Sequence, residues 1–288
     1  MSAPRFSIVT LCKDRLEHLR QSLPRALAQP DTETIVVDCD CPAGTAVEVA
    51  RDFPAARVVK IDDAPFINMA IGRNLGAAAA GGEWLVFMDA DILLAPHFVT
   101  ELAPQLRKGK VFRFGPTKGE VTGTNGTCIL HRDDFALAGG YDEALETYGG
   151  EDTDIYIRLE MLGVQSKLLD TDLLDAVAAH DDATRVRYTR YRSKIRHQRV
   201  NGAYIMVKST LLRILGPKSM TPEQCKQLYG LIREVVEQAQ DKPDEPIHFT
   251  LDLPPDSAFM PMPGWDCVRH LVFDLNPREV TRGVVNSI

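Results

Sequence analysis

Two aspartates directly follow an apolar run near the middle of the chain. The run covers residues 84–88, and Asp89-Ala90-Asp91 comes next. Because side chains alternate across a strand, Asp89 and Asp91 should point the same way at its carboxyl end, where ligands bind in open α/β sheets. Two carboxylates suit Mg²⁺ or Mn²⁺, and such an ion suits a diphosphate. The alternative is a strand followed by an ordinary polar turn.

A second group of acids begins a predicted helix. Gly149 and Gly150 precede Glu151, Asp152 and Asp154, and apolar residues then recur at helical spacing. The helix dipole favours an acid in the first turn by about 0.3–1 kcal/mol. Three acids repel one another, so the excess indicates a site in which carboxylates take different roles. The alternative is simple capping of the helix.

Arg73 and His180 are candidates to complete such a site. Arg73 is the only long cation in a helix of small residues predicted over 65–80. It forms either a surface salt bridge or a contact to a carboxylate or phosphate near Asp89, because a guanidinium fork matches both groups. His180 is either an ordinary polar residue or a third metal ligand, and its nitrogen would suit Mn²⁺ at least as well as Mg²⁺.

The composition is that of a globular protein, with 288 residues of which 44% are hydrophobic and 25% charged. A formal net charge of −7 argues against a general affinity for nucleic acid. No run reaches the roughly 20 apolar residues of a membrane span, and the N-terminus leaves no room for a signal peptide. The six cysteines lack zinc-like spacing, Cys39-Asp40-Cys41 included, and are expected to be mostly reduced. We therefore expect a cytoplasmic protein.

Strands and helices alternate in the first part of the chain. Residues 6–12, 33–38 and 57–61 are predicted strands, and a predicted helix separates each from the next. This order is typical of an α/β protein with a doubly wound parallel sheet. The small residues of the helix over 65–80 should let it lie close to the sheet or to a ligand. We expect residues 1–184 to form one catalytic domain.

The composition changes at residue 185. Seven lysines or arginines and no acid occur between residues 185 and 199. We predict that this basic segment, residues 185–200, is either a solvated loop or a lid that meets a diphosphate or another anionic ligand. Residues 201–288 are predicted to form a small extension of helices and short strands, including an amphipathic helix over 222–240.

Several motifs in this order resemble those of family-2 glycosyltransferases of the GT-A fold. They are Asp38, Arg73-Asn74-x-Gly76 and Met88-Asp89-Ala90-Asp91. Residues 139–143 with residues 149–154 resemble the C-terminal half of β-1,4-galactosyltransferase and chondroitin-polymerase type enzymes. Phe66-x-Asn68-x-Ala70 resembles the Phe-Asn-Arg-Ala element of that group, with Met69 in place of its arginine. The resemblance covers about residues 5–182 and implies the GT-A fold, a Rossmann-like and mostly parallel sheet flanked by helices.

The resemblance also implies donor and metal contacts. The residues that would bind a nucleotide-sugar are Thr10, Asp38, Arg73, Asp89 and Asp91. Asp38 would contact the nucleoside, and Asp91 would bind Mn²⁺ or Mg²⁺ directly. Asp89 would hold the ribose or the metal, and His180 would complete the metal site.

On the acceptor side, the resemblance implies that Glu151 and Asp152 face the acceptor and that Asp152 is the general base. The metal would stabilise the charge that grows on the leaving diphosphate, and the base would take the proton of the attacking hydroxyl. We therefore expect metal-dependent transfer from a nucleotide-sugar, most simply a UDP-sugar, to a hydroxyl of a glycan or another acceptor. Attack opposite the leaving group would invert the anomeric centre.

Three other functions are compatible with parts of this pattern. A nucleotidyltransferase would need a glycine-rich basic loop after the first strand, and residues 10–15 contain no glycine. A retaining GT-A enzyme that uses a GDP-sugar could employ the same aspartates and histidine. A non-catalytic module that binds nucleotides or carbohydrates could also retain the fold.

Overall fold

The computed structural model describes residues 5–115, 126–169, 171–177, 186–239, 246–253 and 268–276. The strands are β1 (Phe6–Cys12), β2 (Thr32–Cys39), β3 (Arg57–Ile61), β4 (Trp84–Asp89), β5 (Ile92–Leu94), β6 (Lys110–Phe114), β7 (Cys128–His131), β8 (Gln165–Leu169), β9 (Leu174–Ala176), β10 (Ile247–Asp252) and β11 (His270–Leu275). The helices are α1 (Leu16–Leu27), α2 (Thr45–Asp52), α3 (Met69–Ala79), α4 (Phe98–Leu102), α5 (Arg132–Leu137), α6 (Glu151–Met161), α7 (Lys194–Leu215) and α8 (Pro222–Gln238). The predicted alternation of strands and helices is confirmed through β4.

Seven strands form one sheet in the order β3-β2-β1-β4-β7-β6-β8. β7 is antiparallel to both of its neighbours, whereas the other neighbouring pairs are parallel. This arrangement confirms the predicted α/β class with a mostly parallel sheet. The carboxyl ends of β1 to β4 lie along one edge, which is where an open α/β sheet binds its ligands.

Helices cover both faces of the sheet. Val9 and Leu11 of β1 pack in one core with Ala77 of α3 and with α6. Ile8, one residue away on the same strand, belongs to the core on the opposite face together with α4. Because successive side chains of a strand point to opposite faces, a strand buried on both sides is largely apolar. β1 is buried at every position, with Ser7 and Thr10 as its buried polar residues.

Helix α3 lies unusually close to β1 because two of its residues have no side chain. A Cβ atom added at Gly76 would be 2.3 Å from Val9 Cγ1, and one added at Gly72 would be 2.4 Å from Leu11 Cδ2. Either contact is too short for real atoms, so alanine would push the helix away from the sheet. The prediction that small residues bring this helix close to the sheet is confirmed. Arg73, which lies between the two glycines in sequence, is held close to the sheet as well.

The C-terminal part of the chain is built on α7, a helix of 22 residues. It begins at Lys194, so the basic segment is a loop only up to Ser193, whose side chain caps the helix. The predicted boundary between residues 200 and 201 lies inside α7. This helix packs on α6 and α8 and shares a core with α8, β10 and β11. The predicted helix over 222–240 is confirmed as α8.

Two expectations from composition concern cysteines and membranes. The cysteines in the described part of the chain are all free and buried, namely Cys12, Cys39, Cys41, Cys128 and Cys225. Cys267 lies outside the described residues. Within the ranges given above, no helix is both long enough and apolar enough to cross a bilayer.

Candidate active site

Arg73 connects the two acidic segments. Its Nη2 donates to Asp89 Oδ1 at 3.2 Å, at the end of β4. Its Nη1 donates to Glu151 Oε1 at 2.8 Å and to Asp152 Oδ1 at 2.6 Å, in the first turn of α6. The arginine side chain is only 2% exposed. A contact near Asp89 is therefore the correct alternative of the two that the sequence left open, and the surface salt bridge is wrong.

Asp152 and Asp89 border a common space at Gly126. A Cβ atom added at Gly126 would lie 3.1 Å from Asp89 Oδ2, 3.2 Å from Arg73 Nη2 and 3.5 Å from Asp152 Oδ2. The Asp89 and Asp152 side chains keep 36% and 22% of their surface exposed, so a ligand can reach both. Glycine at this position leaves room for one.

The charges of this cluster do not cancel. Three carboxylates surround one guanidinium, and burial adds to the cost of each charge. Burial, together with Glu151 and Asp89 nearby, raises the pKa of Asp152, although Arg73 opposes the rise. Burial alone would lower the pKa of Arg73, but the surrounding carboxylates raise it. Arg73 is therefore always charged, and Asp152 is suited to accept a proton.

The two glycines before Glu151 allow the chain to enter α6. Gly149 and Gly150 have φ angles of 82° and 98°, which residues with a side chain rarely adopt. No side chain caps the helix, and Glu151 and Asp152 occupy its first turn. One oxygen of Glu151, Oε2, is buried without a hydrogen-bond partner among the described residues. Buried polar atoms usually have a hydrogen-bond partner, so this oxygen adds to the cost of burying Glu151.

Asp154, the third acid of this turn, has a structural role. Its Oδ1 accepts a hydrogen bond from Lys208 of α7 at 2.7 Å, and its Oδ2 accepts one from Arg158 at 2.8 Å. Lys208 also donates to Asp142. These side chains are buried, so the group fixes α6 against α7 and leaves Glu151 and Asp152 as the acids of the site.

The block around residues 139–143 packs against α3. Asn74 Nδ2 donates to the Tyr141 carbonyl oxygen and to Glu143 Oε1, each at 2.9 Å, and Asn74 Oδ1 accepts from the Tyr141 N–H at 2.8 Å. The Tyr141 ring centroid is 5.1 Å from the guanidinium carbon of Arg73, within range of a cation–π contact. Tyr141 thus supports Arg73 from the side, a role that the sequence did not reveal.

Asp91 lies beside the end of β9. Strands β5 and β9 pair antiparallel, and the Val177 N–H donates to the Asp91 carbonyl oxygen at 2.8 Å. His180 lies outside the described residues, three positions after Val177. Within the described part of the chain, no group of three or more His, Cys, Asp or Glu side chains is arranged to hold a metal ion.

A cavity of about 360 Å³ opens beside the carboxyl ends of β2 and β3. Ile61, Phe66 and Ile67 provide apolar walls, and Asp63 and Asn68 provide polar groups. Phe66 is 47% exposed. The cavity is therefore suited to a flat group with apolar faces and a polar edge.

Lys13 fixes the loops that form this cavity. The side chain is buried, and its Nζ donates to the carbonyl oxygens of Cys39, Asp40 and Ala64 at 2.8, 3.0 and 2.6 Å. These contacts use all three donors of the ammonium group. Lys13 therefore joins the loops after β2 and β3.

Comparison with known proteins agrees with this geometry. Residues 7–137 match the family model of Glycosyl transferase family 2, and residues 115–200 match the model described as N-terminal domain of galactosyltransferase. Together the two matches cover both acidic segments and Arg73. The chain is thus similar to glycosyltransferases over residues 7–200.

The curated relative of this chain is distant. The chain is 24% identical to the O-antigen biosynthesis protein RfbC of Myxococcus xanthus, over 56% of this chain and 16% of the relative. The chain thus spans about a sixth of the length of that relative.

Two solved structures share the fold at low sequence identity. The Pyrobaculum calidifontis mannosyltransferase PcManGT, solved with GDP-Man and Mn²⁺, has a TM-score of 0.52 at 16% identity, over 83% of this chain and 74% of that one. Residues 1–349 of S. aureus TarS, solved with UDP, give 0.52 at 12% identity, over 82% and 92%. These likenesses show the fold of the chain.

Thr10 and Asp38, two of the expected donor contacts, are buried. Asp38 is 2% exposed, and its two oxygens accept hydrogen bonds from the N–H groups of Cys41 and Ala46, each at 2.8 Å. Thr10 is 1% exposed within β1. Asp38 thus shapes the loop after β2, and direct contact of either residue with a nucleotide-sugar stays a prediction.

Two arginines of the basic segment pair with carboxylates of the same chain. Arg187 contacts Asp14 at 3.2 Å, and Arg190 contacts Glu146 at 3.5 Å. These ion pairs give the charge of each arginine a partner without an anionic ligand. That the segment acts as a lid stays a prediction.

Proposed function

We propose that this glycosyltransferase moves a sugar from a nucleotide-sugar, expected to be a UDP-sugar, to an acceptor hydroxyl with inversion of the anomeric centre. The observation that carries the proposal is the Arg73 cluster. It joins Asp89, which comes from the segment suited to a diphosphate and its metal, with Asp152, which is suited to be a base. One site thus contains a carboxylate for the leaving diphosphate with its metal and a carboxylate for the proton of the acceptor hydroxyl.

Asp89 and Asp91 fit a divalent cation. Both supply carboxylate oxygens, the donors that Mg²⁺ and Mn²⁺ prefer, and the Asp89 side chain is accessible. His180 lies outside the described residues, and its part as a third ligand stays a prediction from the sequence. A bound Mn²⁺ or Mg²⁺ would neutralise charge on the leaving diphosphate.

Asp152 is our candidate for the general base. Its Oδ1 is held by Arg73 at 2.6 Å, whereas its Oδ2 borders the space at Gly126. The raised pKa of this carboxyl group improves its match to a hydroxyl proton. Glu151 is more buried, and the part we assign to it at the acceptor rests on the sequence resemblance. Proton transfer to Asp152 as the hydroxyl attacks requires no covalent intermediate, which is consistent with inversion.

The cavity beside β2 and β3 gives a place for the nucleobase. Its apolar walls match the faces of a base, and its polar groups match the edge. Strands in a sheet lie about 4.8 Å apart, so the distance from between β3 and β2 across β1 to β4 is roughly 12 Å. A nucleoside diphosphate has a comparable length. The donor would therefore lie across the ends of these strands, with its diphosphate at Asp89 and Asp91.

Donor binding is testable by thermal unfolding with a panel of UDP-, GDP- and dTDP-sugars, with and without Mn²⁺. A ligand that binds only the folded state stabilises it by about 2.7 kcal/mol at 100 times its Kd. We expect a UDP-sugar with Mn²⁺ to raise the melting temperature by several degrees, and more than either alone.

The matched variants for this test are Asp89→Asn with Asp91→Asn, and Asp252→Asn as a control on the exposed face of β10. The double variant should lose the effect of Mn²⁺, and the control should keep it. A larger rise in melting temperature with GDP-sugars than with UDP-sugars would indicate that the donor is a GDP-sugar. No response to any sugar-nucleotide, or an unchanged Mn²⁺ effect in the double variant, would argue against the proposed site.

A further inference from the structure

The loop that leads into α6 is held by two side chains of α7. Asn201 Oδ1 accepts a hydrogen bond from the Thr147 hydroxyl at 2.7 Å, and Asn201 Nδ2 donates to the Gly149 carbonyl oxygen. One turn earlier on the same helix, His197 Nδ1 accepts from the Tyr148 N–H at 3.2 Å. Residues 147–149, just before Glu151 and Asp152, are thus bound to one face of α7.

These contacts form a closed and buried network. Asn201 and Tyr229 are each 2% exposed. The Tyr229 hydroxyl, which comes from α8, lies 3.1 Å from Asn201 Oδ1 and 3.2 Å from Thr147 Oγ1. Two hydroxyl donors at one oxygen fix which way the Asn201 amide points, and a satisfied buried network of this kind is rigid.

His197 supports the same loop in its neutral form. It is fully buried, and its Nε2 lies 2.8 Å from the Tyr191 carbonyl oxygen, which requires a proton on that nitrogen. Nδ1 is then free to accept from Tyr148. Burial lowers the pKa of His197, which keeps this arrangement at neutral pH.

The backbone here has little stiffness of its own. Gly149 and Gly150 have positive φ angles, and α6 starts without a side-chain cap. A Cβ atom added at Gly150 would be 2.9 Å from Ile205 Cδ1 and 3.3 Å from Asn201 Cβ, so α7 packs directly on the turn. The direction of the first turn of α6 therefore depends on contacts from α7.

We propose that Asn201, oriented by Tyr229, is a positioning residue that sets the place of Asp152 against the acceptor. The inference rests on the proposed function, because it assigns the helices α7 and α8 a part in the transfer step. Asn201 touches neither donor nor metal positions. Its loss should therefore change the rate of transfer and leave donor binding as it is.

The test compares Asn201→Ala with Val207→Ala. Val207 is fully buried on the same helix and packs in the C-terminal core, so its truncation lowers stability without removing a contact to the loop. A misplacement of about 1 Å costs roughly 10²-fold in rate. We expect Asn201→Ala to lower kcat by roughly 10- to 100-fold, with the Kd for the donor within about twofold of wild type. Val207→Ala should keep the wild-type kcat.

Two further measurements complete the test. Tyr229→Phe removes only a hydroxyl, and we expect a loss in kcat of roughly 3- to 10-fold, equivalent to one neutral hydrogen bond. Hydrogen exchange of the amides of residues 147–153 should become faster in Asn201→Ala and stay unchanged in Val207→Ala.

Failure of this inference differs from failure of the proposed function. If wild type transfers sugar and Asn201→Ala has the kcat of Val207→Ala, the positioning role is overturned. If the donor Kd rises in proportion to the loss in kcat, it is overturned as well. If wild type transfers no sugar with any donor, the proposed function fails. The exchange rates, which need no activity, then decide whether Asn201 holds the loop.

Discussion

Asp152→Asn should lower the rate of sugar transfer by roughly 10²- to 10⁴-fold, the usual contribution of a positioned general base. Asparagine keeps the shape of the side chain and an oxygen that can accept from Arg73. It loses the carboxylate oxygen that borders Gly126, and its amide cannot take a proton. Because the donor binds through other residues, its Kd should stay within about twofold of wild type.

Steady-state transfer kinetics with a donor-binding titration measure this effect. Thr153→Ala is the control, because Thr153 is exposed on the same turn and should leave kcat unchanged. A kcat of Asp152→Asn within a few-fold of wild type would remove Asp152 from the role of base.

The pH profile gives a second measurement of the same residue. Burial, with Glu151 and Asp89, raises the pKa of Asp152, and only the ionised form can accept a proton. The wild-type rate should therefore decrease as the pH falls through a pKa above the ordinary range for aspartate. In Asp152→Asn this acidic limb should be absent. A flat wild-type profile over the same range would contradict the assignment.

Arg73→Met should lower the free energy of unfolding by about 3–5 kcal/mol, the usual loss when one partner of a buried ion pair is removed. Methionine fills much of the volume but leaves Asp89, Glu151 and Asp152 without their cation. Urea unfolding measures the loss. Arg57→Met is the control, because this exposed arginine of β3 has one backbone partner and should change stability by no more than about 0.5 kcal/mol.

The destabilisation of Arg73→Met should depend on pH. Arg73 opposes the rise in the pKa of Asp152, so without it the pKa of Asp152 in the folded state lies further above the unfolded value, and the folded state binds more protons. Stability of the variant should then rise relative to wild type as the pH falls from about 8 to about 5. Should Arg73→Met fail to fold, Arg73→Lys keeps the charge without the fork, so it should lose less stability and show little dependence on pH. In Arg73→Met, a loss below about 1 kcal/mol, or one independent of pH, would contradict the role of Arg73.

The part of the site that follows β4 was predictable from local sequence. An apolar run that ends in two aspartates marks the end of a buried strand, and the small residues of α3 indicate close packing. The contact between Arg73 and Glu151 was not predictable in the same way. The two residues are 78 positions apart, and whether they meet depends on how α3 and α6 pack on the sheet.

The support from the C-terminal helices could not be read from the sequence. α7 begins inside the basic segment, where the sequence shows no apolar periodicity. The helix is buried on several sides, so it lacks one clear apolar stripe. Asp154 belonged to the acidic group in sequence but pairs with Lys208, in the region expected to be a separate extension. Asn201 is a buried polar residue in a helix, and its partners are in another part of the chain. Only their spatial arrangement shows their roles.

The metal-dependent transfer site is tested most directly by the rate at which the purified protein releases nucleotide from UDP- and GDP-sugars. The rate is measured with Mn²⁺ or with EDTA, and with water or an added acceptor. We predict release from one donor class in Mn²⁺, loss of release in EDTA, and release slower by about 10²-fold or more in Asp152→Asn and in the double variant at Asp89 and Asp91. No release from any donor, or equal release in EDTA, would contradict a metal-dependent transfer site formed by these two acidic segments.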